Sequence, residues 1–272
     1  MQKKFLIFLL QYGLLCNQYN SIIGKSLMGV NVRQTVARED YFHVAILQRG
    51  SEIPRNIICT GALISFYHIL TAEHCFDEIA NVGFKVLVGS HNLYNSITYY
   101  PFWYITYDQW FNILSRPAPL RENDVALVKL MYNAPVQVTP SRLSSIYSDN
   151  YLYGLSTQLA GWGETNNGRP SNLLLKGNVT VLSHEQCTHY ISSMCGYYSS
   201  LPIVYLCTKS EPSVIVGRGD SGGPLLYQEQ IIGITKGKAP SSYEAILPEF
   251  EKINVHISIN FYRSFINEIL NM

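Results

Sequence analysis

A chain of 272 residues, 47% of them apolar, has enough material to bury a core and to divide into two domains. Twenty Lys and Arg stand against nineteen Asp and Glu, a formal net charge of +1, so no long-range field gathers a phosphate backbone or an anionic lipid surface. Composition therefore excludes a disordered chain and gives nucleic-acid binding no support.

Lys3 and Lys4 precede the apolar run Phe5-Leu6-Ile7-Phe8-Leu9-Leu10, which continues with breaks at Gln11 and Tyr12 to Cys16. This is the charged-then-apolar layout of a secretory signal, and it falls well short of the roughly twenty residues that cross hydrocarbon. The expectation is a signal over about 1–20 and a secreted, extracellular domain over 21–271, with no membrane association once the signal is removed.

Short β-rich runs then recur between turn residues, over 41–47, 57–65, 85–89, 125–130, 157–160, 179–182 and 231–234, which predicts an all-β sandwich or barrel. The stretch 133–141 carries Pro135 and Pro140 and reads as a linker between two segments of similar length. The aromatic cluster at 99–104 reads as packing. Near the end Phe261, Phe265 and Ile269 fall four apart with Tyr262 and Ile266 beside them, predicting a helix over about 258–270 whose apolar face packs on the second domain.

Three strings carry chemistry: Leu70-Thr71-Ala72-Glu73-His74-Cys75, Asn123-Asp124-Val125-Ala126-Leu127 and Gly219-Asp220-Ser221-Gly222-Gly223-Pro224. A serine hydroxyl is a poor nucleophile near neutral pH. It needs an imidazole to take its proton and a carboxylate to hold that imidazole in the right tautomer. His74, Asp124 and Ser221 supply these groups, and the N–H groups of Gly219 and Ser221 are candidate donors to the oxyanion formed on attack.

The order His, Asp, Ser, with gaps of 50 and 97 residues, is close to the roughly 45 and 93 of the chymotrypsin template. At these residues the sequence resembles the trypsin and chymotrypsin family. Gly161-Trp162-Gly163 matches the family's Gly-Trp-Gly, and Cys59-Thr60-Gly61 stands where the family has Cys-Gly-Gly. The resemblance covers nearly the whole chain from about residue 22. It implies two packed six-stranded antiparallel β-barrels, at about 27–135 and 145–257, followed by the C-terminal helix, with the active site in the cleft between the barrels. It also implies that Asp220 receives the ammonium of a newly cut N-terminus and so orders the oxyanion hole. The irregular activation region leaves two starts open, Ile22-Ile23-Gly24-Lys25 and Leu27-Met28-Gly29-Val30.

The resemblance further implies disulfides Cys59–Cys75 and Cys187–Cys207. Two more family bridges are missing at both ends, with Thr157 and Tyr227 in place of one pair and Gly217 at one end of the other. Cys195 is left over as a free thiol, an intermolecular bridge or a rival partner for Cys187. Six residues before the nucleophile, at the floor of the family's specificity pocket, stands Ile215. With Val216 beside it and Lys236 and Gly237 near the pocket wall, no carboxylate is available for a basic side chain, which predicts a shallow apolar pocket that prefers small or medium aliphatic groups. Glu73, where the family commonly has alanine, is read as facing solvent.

Two rival enzymes fail on the sequence. Gly219 to Gly223 also satisfies Gly-x-Ser-x-Gly, but after Ser221 only His256 remains, no aspartate follows, and fewer than sixty residues are left to hold the rest of an α/β-hydrolase sheet. His184 and His189 are five apart rather than the four that place two zinc ligands on one helical face. The reading is a serine endopeptidase that needs no metal or cofactor and acts as a monomer on polypeptide substrates. An activating protease and protein inhibitors are its expected partners. The alternative is a catalytically silent relative that serves as a binding or regulatory module.

Overall fold

The computed structural model describes residues 27–29, 32–35, 42–48, 50, 57–77, 79, 83–115, 122–199, 201–240 and 251–272. The expected signal and the tetrapeptide at 22–25 lie outside them. Near the N-terminus run β1 (Met28–Gly29) and β2 (Arg33–Gln34), then β3 (His43–Gln48), β4 (Ile57–Leu63), β5 (His68–Thr71), β6 (Phe84–Val88), β7 (Ile97–Tyr99), β8 (Pro101–Thr106), the helix α1 (Tyr107–Ile113) and β9 (Ala126–Leu130). After the 133–141 connection come β10 (Arg142–Leu143), β11 (Ser156–Gly161), β12 (Leu175–Leu182), α2 (His184–Cys195), β13 (Tyr205–Lys209), β14 (Val214–Ile215), β15 (Pro224–Tyr227), β16 (Gln230–Ala239), β17 (Ile253–Ser258) and α3 (Arg263–Leu270).

The strands form where alternate side chains find a core. In β12, Val179 and Val181 are buried while Asn178 and Thr180 face out, the period of two that a half-covered strand requires. The first barrel pairs in the order β7-β6-β3-β4-β5-β9-β8. Only Tyr100 separates β7 from β8, so one bent strand lies against β6 with its first half and against β9 with its second, and the chain itself closes the ring. The second barrel runs β16-β15-β11-β12-β13-β17 and closes through direct β16–β17 pairing. Two six-stranded antiparallel barrels are thus present, as the sequence led one to expect.

Each barrel has its own apolar filling, Val44, Ile46, Leu63, Val86 and Val128 in the first and Leu159, Val179, Leu206 and Leu225 in the second. A third group joins them: Leu87 and Leu93 from the first half meet Ala160, Trp162 and Leu174 from the second. The short N-terminal strands lie by pairing on the second half, β1 on β14 and β2 on β12. This crossing brings Leu27, itself buried, toward the loop before Ser221.

Residues Ile259–Tyr262 form a 3-10 turn ahead of α3. The tighter turn rotates the face, so Tyr262, Phe265, Ile266 and Ile269 are buried while Phe261, expected on the buried stripe, is 41% exposed. Tyr262 and Phe265 meet Tyr107 of α1 edge-on, with ring centroids 4.8 and 5.5 Å apart. The C-terminal helix therefore fastens the first half of the chain as well as the second.

Candidate active site

His74 sits in a 3-10 turn, Glu73–Phe76, that follows β5 directly. Cys75 next to it is bonded to Cys59 on β4, so the turn is fixed to the sheet. Asp124 precedes β9 and is 3% exposed. Its Oδ1 accepts from the His74 backbone N–H at 2.9 Å, and Nδ1 of the imidazole lies 3.0 and 2.9 Å from Oδ1 and Oδ2. The ring is thereby held in one tautomer, with Nε2 free to face the cleft.

Ser221 lies in a turn of the second half between Gly219 (φ +102°) and Gly222 (φ +77°), conformations that side-chain-bearing residues rarely adopt. The neighbouring amides are occupied, Asp220 N–H by the Gly217 carbonyl and Gly222 N–H by that of Thr235. The Gly219 and Ser221 amides have no acceptor among the described residues. Ser221 Oγ donates to the Lys236 carbonyl at 3.4 Å and makes no hydrogen bond to His74 in this state.

The first half also grips the nucleophile turn. Thr60 N–H donates to the Ser221 carbonyl at 2.8 Å, and Thr60 Oγ1 donates to the Gly219 carbonyl at 2.8 Å. Sequence reading had no role for this threonine, since only the fold brings it 159 residues along the chain to Gly219.

Asp220 is 2% exposed. Its carboxylate accepts from Gly163 N–H at 3.1 Å and Gly217 N–H at 2.9 Å, and from the backbone of Leu27. Burial pushes its carboxyl up to about 7 even though these three bonds pull the other way. A Cβ on Gly163 would lie 2.7 Å from the Arg218 carbonyl oxygen and 2.9 Å from Oδ1 of Asp220, so only glycine admits the carboxylate here.

Two side chains here depart from the sequence expectation. Lys236, expected on the pocket wall, turns its Nζ onto Asp124 Oδ2 at 3.0 Å. The buried carboxylate draws it there, and Nζ lies over the Tyr205 ring, 5.6 Å from the centroid. Burial opposes ionisation of Asp124, but His74 and Lys236 outweigh it and hold the carboxyl far below the usual range. Glu73, expected to face solvent, is half-buried toward α1, where it meets Thr106 and Asp108. Burial first, then Asp108, pushes its carboxyl up to about 7.

Cys187 is bonded to Cys207. Cys195 is disulfide-bonded too and no described cysteine is free, which removes the free thiol and the rival pairing with Cys187. Cys59, His74 and Cys75 cluster closely enough to suggest metal ligands, but both sulfurs are spent in one disulfide and offer no thiolate. In β14, Ile215 is 1% exposed and faces Met28 in register. Val216 N–H is held by Asn254 Oδ1 at 2.8 Å. Gly237 lies in β16, just past a shift in its register with β17.

A family model for trypsin matches residues 30–263, most of the chain. The chain belongs to the trypsin family. This trypsin-family protein is a serine endopeptidase, a hydrolase of peptide bonds. It is 28% identical over 206 residues to serine protease SP24D of Anopheles gambiae, covering 74% of this chain and 68% of that one. With trypsin delta of Drosophila erecta it shares 26% over 195 residues, 69% and 72% of the two chains. With serine protease grass of Drosophila melanogaster it shares 27% over 190 residues, 65% of this chain but only 49% of that longer protein. Among solved structures, neuropsin, a serine protease expressed in the limbic system of mouse brain, superposes with a TM-score of 0.70 at 20% identity, covering 90% of this chain and all of the other. That last likeness bears on the fold alone.

Proposed function

We propose that this trypsin-family endopeptidase is secreted and cuts polypeptides with Ser221 as nucleophile, His74 as general base and Asp124 as the orienting carboxylate. The observation that carries the assignment is the paired contact of buried Asp124 with Nδ1 and the backbone N–H of His74, together with the tie of the Ser221 turn to β4 through Thr60. Rotation of the Ser221 side chain off the Lys236 carbonyl would present Oγ to Nε2, and such bonds commonly tighten only when substrate is bound.

In the reaction, Ser221 Oγ attacks the carbonyl carbon of the substrate as its proton passes to His74 Nε2. The oxygen becomes an anion that the vacant Gly219 and Ser221 amides are aimed to receive. Collapse of the tetrahedral adduct breaks the C–N bond, and the imidazolium returns its proton to the departing amine. Water then repeats the steps on the acyl-enzyme and frees Ser221. Asp124 keeps the imidazole in register and stabilises its charge throughout.

Asp220 is assigned as the acceptor of the mature N-terminus. Of the two candidate starts, its bond from the Leu27 amide favours cleavage before Leu27. Buried Ile215, with Val216 beside it, supports a preference for small or medium aliphatic side chains before the cut. Gly237 stays with that pocket, while Lys236 contributes at the triad.

The reading of a silent binding module draws on one observation, the tie of Ser221 Oγ to the Lys236 carbonyl. Kinetics of purified variants decide between the two. Ser221→Ala and His74→Ala are each expected to lower kcat by several orders of magnitude with the fold intact. A wild-type chain no faster than Ser221→Ala would establish the silent module.

A further inference from the structure

We propose that Lys236 is a positioning residue that sets the pH range of the protease, because its ammonium competes with His74 for the carboxylate of Asp124. The proposal rests on the triad assignment above and adds a fourth charged group to it.

A defect in the sheet places the lysine. Thr235 of β16 faces His256 and Gly237 faces Val255, leaving Lys236 as the extra residue of a bulge, a device that re-aims a side chain at the edge of a site. Its ammonium reaches Asp124 Oδ2 at 3.0 Å while its carbonyl accepts from Ser221 Oγ at 3.4 Å. One residue thus touches both the carboxylate and the nucleophile. The side chains of Lys236 and Asp124 are 12% and 4% exposed, so salt screens the pair weakly.

His74 Nδ1 contacts the same Oδ2 at 2.9 Å, which sets the two cationic centres no more than about 6 Å apart. When His74 takes the Ser221 proton, Asp124 attracts the new imidazolium and Lys236 repels it. At that separation, in a pair that salt screens weakly, the repulsion acts directly on the proton transfer. The other groups facing the pair are Tyr205 from β13, Tyr262 from the turn before α3, Glu73 from the histidine turn and Asp108 from α1, with Asp77 and Glu122 beyond. Burial pushes the Glu73 carboxyl up to about 7, and above that pH its charge opposes that of Lys236. The net effect of Lys236 is to weaken the base and carry activity to lower pH, at a cost in turnover.

The test is the pH dependence of Ser221 modification by a fluorophosphonate, which reports the base without a substrate. Purified active protease is compared with Lys236→Met, which keeps the length and removes the charge, and with Lys236→Arg, which keeps the charge. Both are repeated in a Glu73→Gln background to separate the titration of that carboxyl. Lys236→Met is expected to move the acid limb of the inactivation rate upward by about one to two pH units, while Lys236→Arg leaves it in place. Lys236→Gln serves if Lys236→Met does not fold. An acid limb that stays put in the uncharged variant, with only thermal stability lowered, overturns the proposal and leaves the triad standing. A wild-type chain that takes no label overturns both.

Discussion

Cutting the chain before Leu27 should stabilise it, and most strongly at neutral to alkaline pH. In the uncut chain Asp220 is buried with three backbone N–H donors, and its carboxyl is raised from 3.8 to about 7. A raised carboxyl pKa means that the folded state resists ionisation. Folding loses stability as pH rises from the unfolded value, and the loss is complete above the folded one. The difference of about three units is worth about 4 kcal/mol at pH 8 and less than half of that at pH 5. A new ammonium at Leu27 would replace a neutral N–H with a full charge and abolish the penalty. For a chain of this size 4 kcal/mol is about 10 °C in Tm. Scanning calorimetry on uncut and precisely trimmed protein at pH 8 and pH 5 measures it. Equal Tm values at pH 8 would refute the reasoning, as would a gap that widens toward pH 5.

Asp124→Asn should lower kcat about 10⁴-fold by favouring the wrong imidazole tautomer, and a loss of only a few-fold in steady-state assays would point to another acid. Non-reducing peptide maps of the full chain should return Cys59 with Cys75 and Cys187 with Cys207, and no alkylatable thiol at Cys195. Peptides that differ only at the residue before the cut should be cleaved better with Leu or Ala than with Arg. A tenfold preference for Arg in kcat/KM would show that Ile215 does not line the pocket.

The barrels were legible where strands alternate, and less so where buried polar side chains broke the pattern. In β17 Asn254, His256 and Ser258 put polar side chains at alternate positions, yet all three are buried. They turn inward because partners wait there, Val214 and Val216 for Asn254 and Thr208 for His256. Strands β7 and β8 were hidden in an aromatic cluster that was read for packing alone. Tyr104 does pack, stacking on Phe76 with ring centroids 4.4 Å apart. The three strings of the site stood out because each carries its chemistry within a few residues. Thr60 and Lys236 did not, since their contacts to Gly219 and Asp124 span 159 and 112 residues. The second of these also needs a bulge that no local pattern announces.

The assignment of Ser221 as an activated nucleophile is tested most directly by a fluorophosphonate probe on the processed chain, followed by peptide mapping. One adduct is predicted, on Ser221, lost in Ser221→Ala and formed far more slowly in His74→Ala. No adduct on the processed wild-type protein, or one on another residue, would contradict the account.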